Sequence, residues 1–307
     1  MNILFAGTPE IAVPSLEALV TAGHGVEVLT NPDAPSGRGG RHGPSPVKAR
    51  ALDLGLRVHQ PEKLDGNARA LFEGRFDLLV SFAFGRIFGP LFLGLFPLGG
   101  LNVHPSLLPR WRGPSPLTAA LLARDPQTGI SVQRLALKMD SGNVLVQSTL
   151  SLNGTETTGS LTAWASEAAV PLLLRAVALA EAGAEGEVQN EALATVCSLT
   201  AKDDGRLVWT KAAADLDAQI RAYDPWPGAF TEWKGQRLVL RQSAVVAGAP
   251  GVPGTVSVDK SKGILIQTGD GLVAVRELQL PARKSLDFRS FLNGNPSLVG
   301  SRLGEPS

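Results

Sequence analysis

The chain has one cysteine, Cys197, among 307 residues. A single thiol builds neither a disulfide framework nor a cysteine-based zinc site. A free cysteine is most often a packing residue. The four histidines, His24, His42, His59 and His104, are scattered, with no close ligand pair, so no metal ion is expected. Net charge is also scarce, at +1. Any nucleic-acid contact must therefore come from local patches. No uninterrupted apolar run reaches the length of a membrane span, and "MNILFAGTPE" is too short and too polar for a secretion signal. A soluble, cytoplasmic protein with no membrane contact is expected. An apolar content of 44% against 19% charged residues supports a packed core and argues against disorder. The length allows one large domain or two ordinary ones.

The pattern along the chain divides it. "NILFAG" reads as a buried strand, "PEIAVPSLEALVTAG" as a helix stopped by Gly23, and "VEVLT" as a second strand. Strand, helix and strand in that order predict a βαβ unit and a parallel sheet. "FDLLVSF" and "GGLNVH" read as further core strands, "GISVQRL" and "NVLVQSTLSL" as an antiparallel pair, and a helix is expected from about Ser160 to Glu181. Residues 1–185 are expected to form an open α/β domain, 186–204 a linker, and 205–307 a second domain. In that last stretch one short helix, "AAADLDAQIRAY", precedes strand-like runs broken by Gly and Pro, the pattern of a small barrel. This domain is mildly basic and the first mildly acidic.

Three places carry chemistry. "FAGTPE" sits where a dinucleotide fold has its glycine-rich turn, but only Gly7 of the G-x-G-x-x-G pattern is present, so a Rossmann-like sheet is expected without NAD. In "LNVHPSLLPRWRGPSP", Asn102 and His104 alternate on one strand and so share a face. They lie near its carboxyl end, where ligands bind in open α/β sheets. Asp140, in "LKMDSGNVL", reads locally as a turn residue. Together, however, an amide, an imidazole and a carboxylate make an acyl-transfer site that needs no Ser or Cys nucleophile. The segment Asn31–Arg50, "NPDAPSGRGGRHGPSPVKAR", reads as a long loop with Arg38, Arg41 and Lys48 among glycines. It is either a solvated insertion or an arm for phosphates.

These motifs, in this order, resemble a known family. "FAGTPE", "PDAPSGRGGRHGPSPVK", "NVHPSLLPRWRG", "MDSGNVL" and "AYDPWPGAF" are similar to stretches of the methionyl-tRNA formyltransferases. "SLLPRWRG" is a strong signature of the wider formyltransferase family that uses 10-formyltetrahydrofolate. The resemblance spans almost the whole chain. It implies a Rossmann-like formyltransferase domain followed by a C-terminal barrel resembling an OB-fold. It also implies formyl transfer from 10-formyltetrahydrofolate to the α-amino group of methionyl initiator tRNA, with no metal and no required oligomer. By position, Asn102, His104 and Asp140 would be catalytic. Ser106, Leu107, Leu108 and Pro109, with Phe84 and Gly85 of "SFAFGRIF", would hold folate. Arg38, with Arg41 and Lys48, would meet the acceptor end of tRNA.

The chain departs from the family at three points: Pro105 follows His104 where Gly is more usual, "SFAFG" replaces Val-x-Ala-Tyr-Gly, and a "GPSP" read as helix-breaking replaces Ala-Ala-Pro. The closest rival is a folate-dependent sugar-nucleotide formyltransferase, which shares "DPWPGAF" but not the basic arm. A glycinamide ribonucleotide enzyme has no need of the second domain. A formyltetrahydrofolate hydrolase has no need of the arm, and a non-catalytic tRNA-binding protein has no need of the three polar residues.

Overall fold

The computed structural model describes residues 1–36 and 41–304. They gather into two compact units. The first comprises Met1–Pro116, Gln127–Ser151 and Thr162–Ser198. The second comprises Leu117–Pro126, Leu152–Leu161 and the chain from Leu199 onward.

The first unit is built on a seven-stranded sheet. In chain order the strands of this unit are β1 (Asn2–Gly7), β2 (Gly25–Leu29), β3 (Ala34–Ser36), β4 (Arg41–Gly43), β5 (Val58–His59), β6 (Leu78–Phe82), β7 (Gly100–His104), β8 (Gln127–Arg134) and β9 (Val144–Ser151). The sheet order is β5-β2-β1-β6-β7-β8-β9, with β3 and β4 forming a separate pair. The strands β5 to β7 run parallel, and β8 and β9 add an antiparallel edge. Ile3, Leu4, Phe5, Leu78, Leu79 and Val80 are fully buried. A strand covered on both faces reads as a continuous apolar run, as β1 and β6 do. From β1 the chain builds outward through β2 and β5, then restarts with β6 on the other side. The crevice at the carboxyl ends of β1 and β6 is thus a topological switch point, the usual ligand position in such sheets.

Two expectations are corrected. Asn31–Arg50 is not one long loop: Ala34–Ser36 pairs antiparallel with Arg41–Gly43, and Pro46–Asp53 is helical. Each "GPSP" of the chain, Gly43–Pro46 in the arm and Gly113–Pro116 after the signature, leads into a helix, Pro46–Asp53 and Pro116–Leu122, so the second does not break one. The Ser45 hydroxyl accepts from the Lys48 N–H at 3.2 Å, and proline at the first helical position loses no hydrogen bond. The second correction concerns membrane length. The helix Thr158–Glu181 is long and apolar enough, by length and composition, to cross a membrane. Glu167, Pro171 and Arg175 interrupt the run, which is why it is missed as a continuous apolar segment. In the fold Ala165, Ala169, Leu173, Ala176 and Val177 are core residues, and the Ser166 hydroxyl donates to the Ile11 carbonyl at 3.0 Å.

The second unit holds a curled antiparallel sheet, a small barrel resembling an OB-fold. Its strands are β10 (Phe230–Trp233), β11 (Gln236–Val246), β12 (Val256–Asp259), β13 (Gly263–Gln267), β14 (Leu272–Gln279) and β15 (Leu286–Asp287). The order is β10-β11-β14-β13-β12, with β15 beside β14. Leu238, Leu240, Ile264, Ile266, Val273 and Val275 alternate inward and pack with Leu216 and Ile220 of the helix Ala213–Ala222. That alternation made most of these strands legible. The short strand β10 and the helix Phe288–Gly294 carry too few alternations to be read from sequence.

Candidate active site

Asn102 and His104 stand at the carboxyl end of β7, both turned toward Asp140. The Asn102 amide donates to Asp140 Oδ1 at 3.2 Å. His104 Nδ1 lies 3.7 Å from Asp140 Oδ2, and its Nε2 is 2.8 Å from the Trp111 carbonyl oxygen. A carbonyl only accepts, so Nε2 carries a proton. Nδ1 is then the ring nitrogen that can take up and return a proton, and it faces a carboxylate. His104 is buried, and the Asp140 side chain keeps 12% of its surface exposed. The pair is therefore shielded from water but reachable.

Asp140 is held from several sides. Its Oδ1 also accepts from Gln133 Nε2 at 3.0 Å, and its Oδ2 accepts from the Gly113 N–H at 2.8 Å. Gln133 lies directly opposite Asn102 in the β7–β8 register, so the sheet itself brings two amides to one carboxylate oxygen. Gly113 has φ +114, and a Cβ there would lie 2.4 Å from the Cys197 carbonyl oxygen. Only glycine brings this N–H to Asp140 without displacing the chain. Asp140 itself has φ +50, a left-handed conformation that aspartate tolerates better than most residues. Trp111, at φ +60, is less suited to it. Its N–H donates to Thr195 Oγ1 at 2.9 Å, which helps hold it there.

The loop after β7 is fixed by its own hydrogen bonds. The Ser106 hydroxyl donates to the Arg110 carbonyl at 2.6 Å, and Ser131 Oγ donates to the Ser106 carbonyl at 2.7 Å. The Leu108 N–H donates to Ser131 Oγ at 3.1 Å, and the Leu108 carbonyl accepts from Gln147 at 3.1 Å. Ser106 and Leu108 are buried, while Leu107 and Pro109 are partly exposed. At the switch point Phe84 is a core residue, stacked on Phe88 with ring centres 5.4 Å apart, and its carbonyl accepts from Asn31 at 2.8 Å. Gly85, at φ +80, is exposed beside it.

The three basic arm residues differ. Arg38 lies outside the described residues. Arg41 begins β4. Lys48 sits on the helix Pro46–Asp53, with its ammonium 2.6 Å from Asp33 Oδ2. Asp33 also accepts from Gln60 at 2.8 Å.

Sequence reasoning missed Gln133, Gly113, Gln189, Arg112 and the Trp111 carbonyl. The signature "SLLPRWRG" contains Trp111, Arg112 and Gly113, but nothing local assigns them contacts with Asp140 or His104. Gln189 lies in a stretch that reads as linker. Cys197, next to this cluster, is 9% exposed. Burial pushes its thiol up from its ordinary value, and the Asp140 charge acts in the same direction. Glu191 is the opposite case: hydrogen bonds from Arg112 and Lys138 hold its carboxyl at about 2.

An open α/β sheet with an amide, an imidazole and a carboxylate at the end of a central strand is an arrangement chemically suited to acyl or one-carbon transfer. The comparisons specify which. Residues 1–177 match the formyl transferase family model and residues 200–296 that of the formyl transferase C-terminal domain. The chain belongs to the formyl transferase family and is a formyl-transferring enzyme. It is 42% identical to the methionyl-tRNA formyltransferase of Treponema denticola, covering 97% of this chain and 98% of that one. It is 39% identical to the enzyme of the same name from Methylobacillus flagellatus, covering 99% and 100%.

Among solved structures, a sugar 3N-formyl transferase, WlaRD, superposes with TM-score 0.68 at 16% identity, covering 92% of this chain and 99% of that one. HypX from Aquifex aeolicus, solved with tetrahydrofolic acid, superposes with TM-score 0.66 at 18% identity; it covers 94% of this chain, which spans 46% of HypX. At such identities these two establish the fold alone.

Proposed function

We propose that this enzyme transfers the formyl group of 10-formyltetrahydrofolate to the free α-amino group of methionyl initiator tRNA. The observation that carries the reading is the Asp140 carboxylate in reach of both Asn102 and His104, in a chain so similar over its full length to methionyl-tRNA formyltransferases. The acceptor amine, neutral, attacks the formyl carbon. A C–N bond forms and the carbonyl electrons move onto oxygen. One Asn102 amide hydrogen is engaged with Asp140, and the other donates to that oxyanion. A protonated His104 Nδ1 adds a second donor. Asp140, beside the imidazole, receives the amine proton, through water. Collapse breaks the bond between the formyl carbon and N10 of the folate, and the proton returns to that nitrogen. No covalent enzyme intermediate forms.

The folate site proposed from the resemblance is the loop Ser106–Pro109 together with Phe84 and Gly85. The hydrogen bonds that fix the loop support this reading, because a pre-ordered surface loses little entropy on binding. Ser106, Leu108 and Phe84 would shape the site through the backbone, while Leu107, Pro109 and the exposed Gly85 would meet the ligand. Arg38, Arg41 and Lys48 are proposed to face the end of the acceptor stem. Residues 205–307 would hold the tRNA backbone, residues 1–185 the chemistry, with 186–204 joining them. Lys48, paired with Asp33, would act partly by setting the base of the arm. The enzyme is proposed to be cytoplasmic, away from membranes, and to need no oligomer.

The test is formylation by the wild type and by Arg38→Ala, with labelled 10-formyltetrahydrofolate. Charged initiator tRNA, charged elongator tRNA and amino-sugar nucleotides are the acceptors, at several salt concentrations. Initiator tRNA should be preferred, binding should weaken steeply with salt, and Arg38→Ala should reduce both rate and selectivity while sparing folate binding. Preference for an amino-sugar nucleotide would overturn the assignment.

A further inference from the structure

The Asp140 turn is gripped from below by a side chain that the chemistry does not use. Gln189 is 7% exposed. Its amide nitrogen lies 2.9 Å from the Asp140 carbonyl, 2.6 Å from the Gly142 carbonyl and 3.2 Å from Gln133 Oε1. Its amide oxygen accepts from Arg112 Nε at 3.1 Å and Nη2 at 2.8 Å. Arg112 is itself 3% exposed and is paired through Nη2 with Glu191 at 2.6 Å.

The order of these partners has a consequence. A guanidinium only donates, so the Gln189 oxygen must face Arg112 and its NH2 must face the turn. That NH2 meets the Gln133 oxygen, so the Gln133 NH2 must face Asp140 Oδ1. Arg112 thus sets the orientation of two amides in series. The last of them gives Asp140 a donor, and the first ties down the backbone carbonyls on either side of Ser141. Gly142 completes the grip: a Cβ there would lie 1.9 Å from the Arg134 carbonyl, so the turn has one way to sit.

We propose that Gln189, oriented by Arg112, is a positioning residue that holds Asp140 in the left-handed turn and aims its carboxylate at Asn102 and His104. The proposal deepens the proposed function, since it rests on Asp140 acting in formyl transfer, but its first test needs no substrate.

The side-chain amide of Asn102 reports directly on Asp140, to which it donates. In the free protein, Gln189→Met should move the Asn102 side-chain amide NMR resonances. Gln189→Met added to Asp140→Ala should move them no further than Asp140→Ala alone. Unmoved resonances in a folded Gln189→Met protein would overturn the proposal, whatever the acceptor proves to be.

The second test is kinetic. Misplacing a reacting group by a fraction of an ångström to 1 Å costs up to about a hundredfold. Gln189→Met should therefore lower single-turnover transfer about tenfold or more, with KM for 10-formyltetrahydrofolate changed by less than about threefold. Gln189→Glu, which keeps the Arg112 partner but turns acceptor oxygens toward two carbonyls, should do the same. It serves if the methionine variant does not fold. Combined with Asp140→Ala, either substitution should add almost nothing, because residues acting as one unit are not additive. Additive losses, or a fall in melting temperature with kcat intact, would show a merely structural role. Absence of transfer by the wild type to every acceptor would instead count against the proposed function, leaving the NMR result to decide this proposal.

Discussion

Replacing Asp140 with asparagine keeps the shape of the side chain and exchanges one acceptor for a donor. The carboxylate now serves two sets of donors: Oδ1 takes Asn102 and Gln133, and Oδ2 takes the Gly113 N–H, with His104 Nδ1 3.7 Å away. An amide cannot serve both. With its oxygen at the Oδ1 position, its NH2 points at the Gly113 N–H and the imidazole. In the reverse orientation it points at two amide groups. Either way at least one enclosed donor loses its acceptor. Hydrogen bonds to a charged group contribute about 1.5–3 kcal/mol, so a loss of about 2 kcal/mol in stability is expected. With an unfolding entropy of about 2.1 cal/mol/K per residue, each kcal/mol moves the melting temperature of a chain this long by about 1.5 °C, giving a fall of about 3 °C.

Catalysis should suffer more. On the proposed mechanism the variant loses both the negative charge beside His104 and the acceptor for the amine proton. General acid–base groups contribute about 10²–10⁴-fold, so single-turnover transfer should fall by at least about a hundredfold. That corresponds to about 2.7 kcal/mol in the barrier. Folate affinity should hold, because the loop Ser106–Pro109 is anchored by Ser131 and Gln147 and not by Asp140. The assay is rapid-quench formylation of charged initiator tRNA, alongside thermal melting and folate titration. A folded variant that transfers within about threefold of the wild-type rate would refute the assignment of Asp140 to the chemistry.

Three further outcomes are expected. Arg112 first, then Lys138, hold the Glu191 carboxyl at about 2, below its ordinary 4.5. The folded value lies below the unfolded one, so this contribution is present above about pH 4.5 and is lost as pH falls toward about 2. The difference in melting temperature between wild type and Glu191→Gln should therefore be steady at neutral pH and shrink below about pH 4.5; a difference undiminished at about pH 2.5 would contradict the ion pair. Cys197 is enclosed and its thiol is pushed up by burial, so a thiol-specific chromogenic reagent near neutral pH should react at least about tenfold faster in urea than with the native protein. Equal rates would place the thiol at the surface. Transfer should also survive chelation: among the described residues no group of three or more His, Cys, Asp or Glu could hold a metal ion. Activity lost to a chelator and restored by zinc would overturn that expectation.

The legible parts of this protein are those where one residue type in a short window has a single physical meaning. Continuous apolar runs specify strands covered on both faces, so β1 and β6 were readable, and alternation specified β11, β13 and β14. Asn102 and His104 were readable as a pair because strand geometry alone puts alternate side chains on one face. What the windows misread was the arm. A proline can open a helix as well as stop one, and the difference at Pro46 is made by the Ser45 cap. The β3–β4 pairing joins two strands of three residues each, Ala34–Ser36 and Arg41–Gly43, too short to leave a periodic trace.

The sequence by itself determined the two-part architecture and the sheet class, and it marked out the three polar residues proposed for the site. It could not determine that the Asp140 side chain, besides sitting in a turn, is enclosed by donors beside Asn102 and His104. That depends on Gly113, Gln133 and Gln189, which are 27, 7 and 49 residues away along the chain. Each meets Asp140 only because the parallel strands, the antiparallel edge and the segment 186–198 converge at the end of β7. Hydrogen bonds of this kind have no sequence period, since each is fixed by where the backbone has already been placed. The orientation of the two amides is set by a buried Arg112 that can only donate and by the Asp140 and Gly142 carbonyls that can only accept. That selection exists in the folded chain alone.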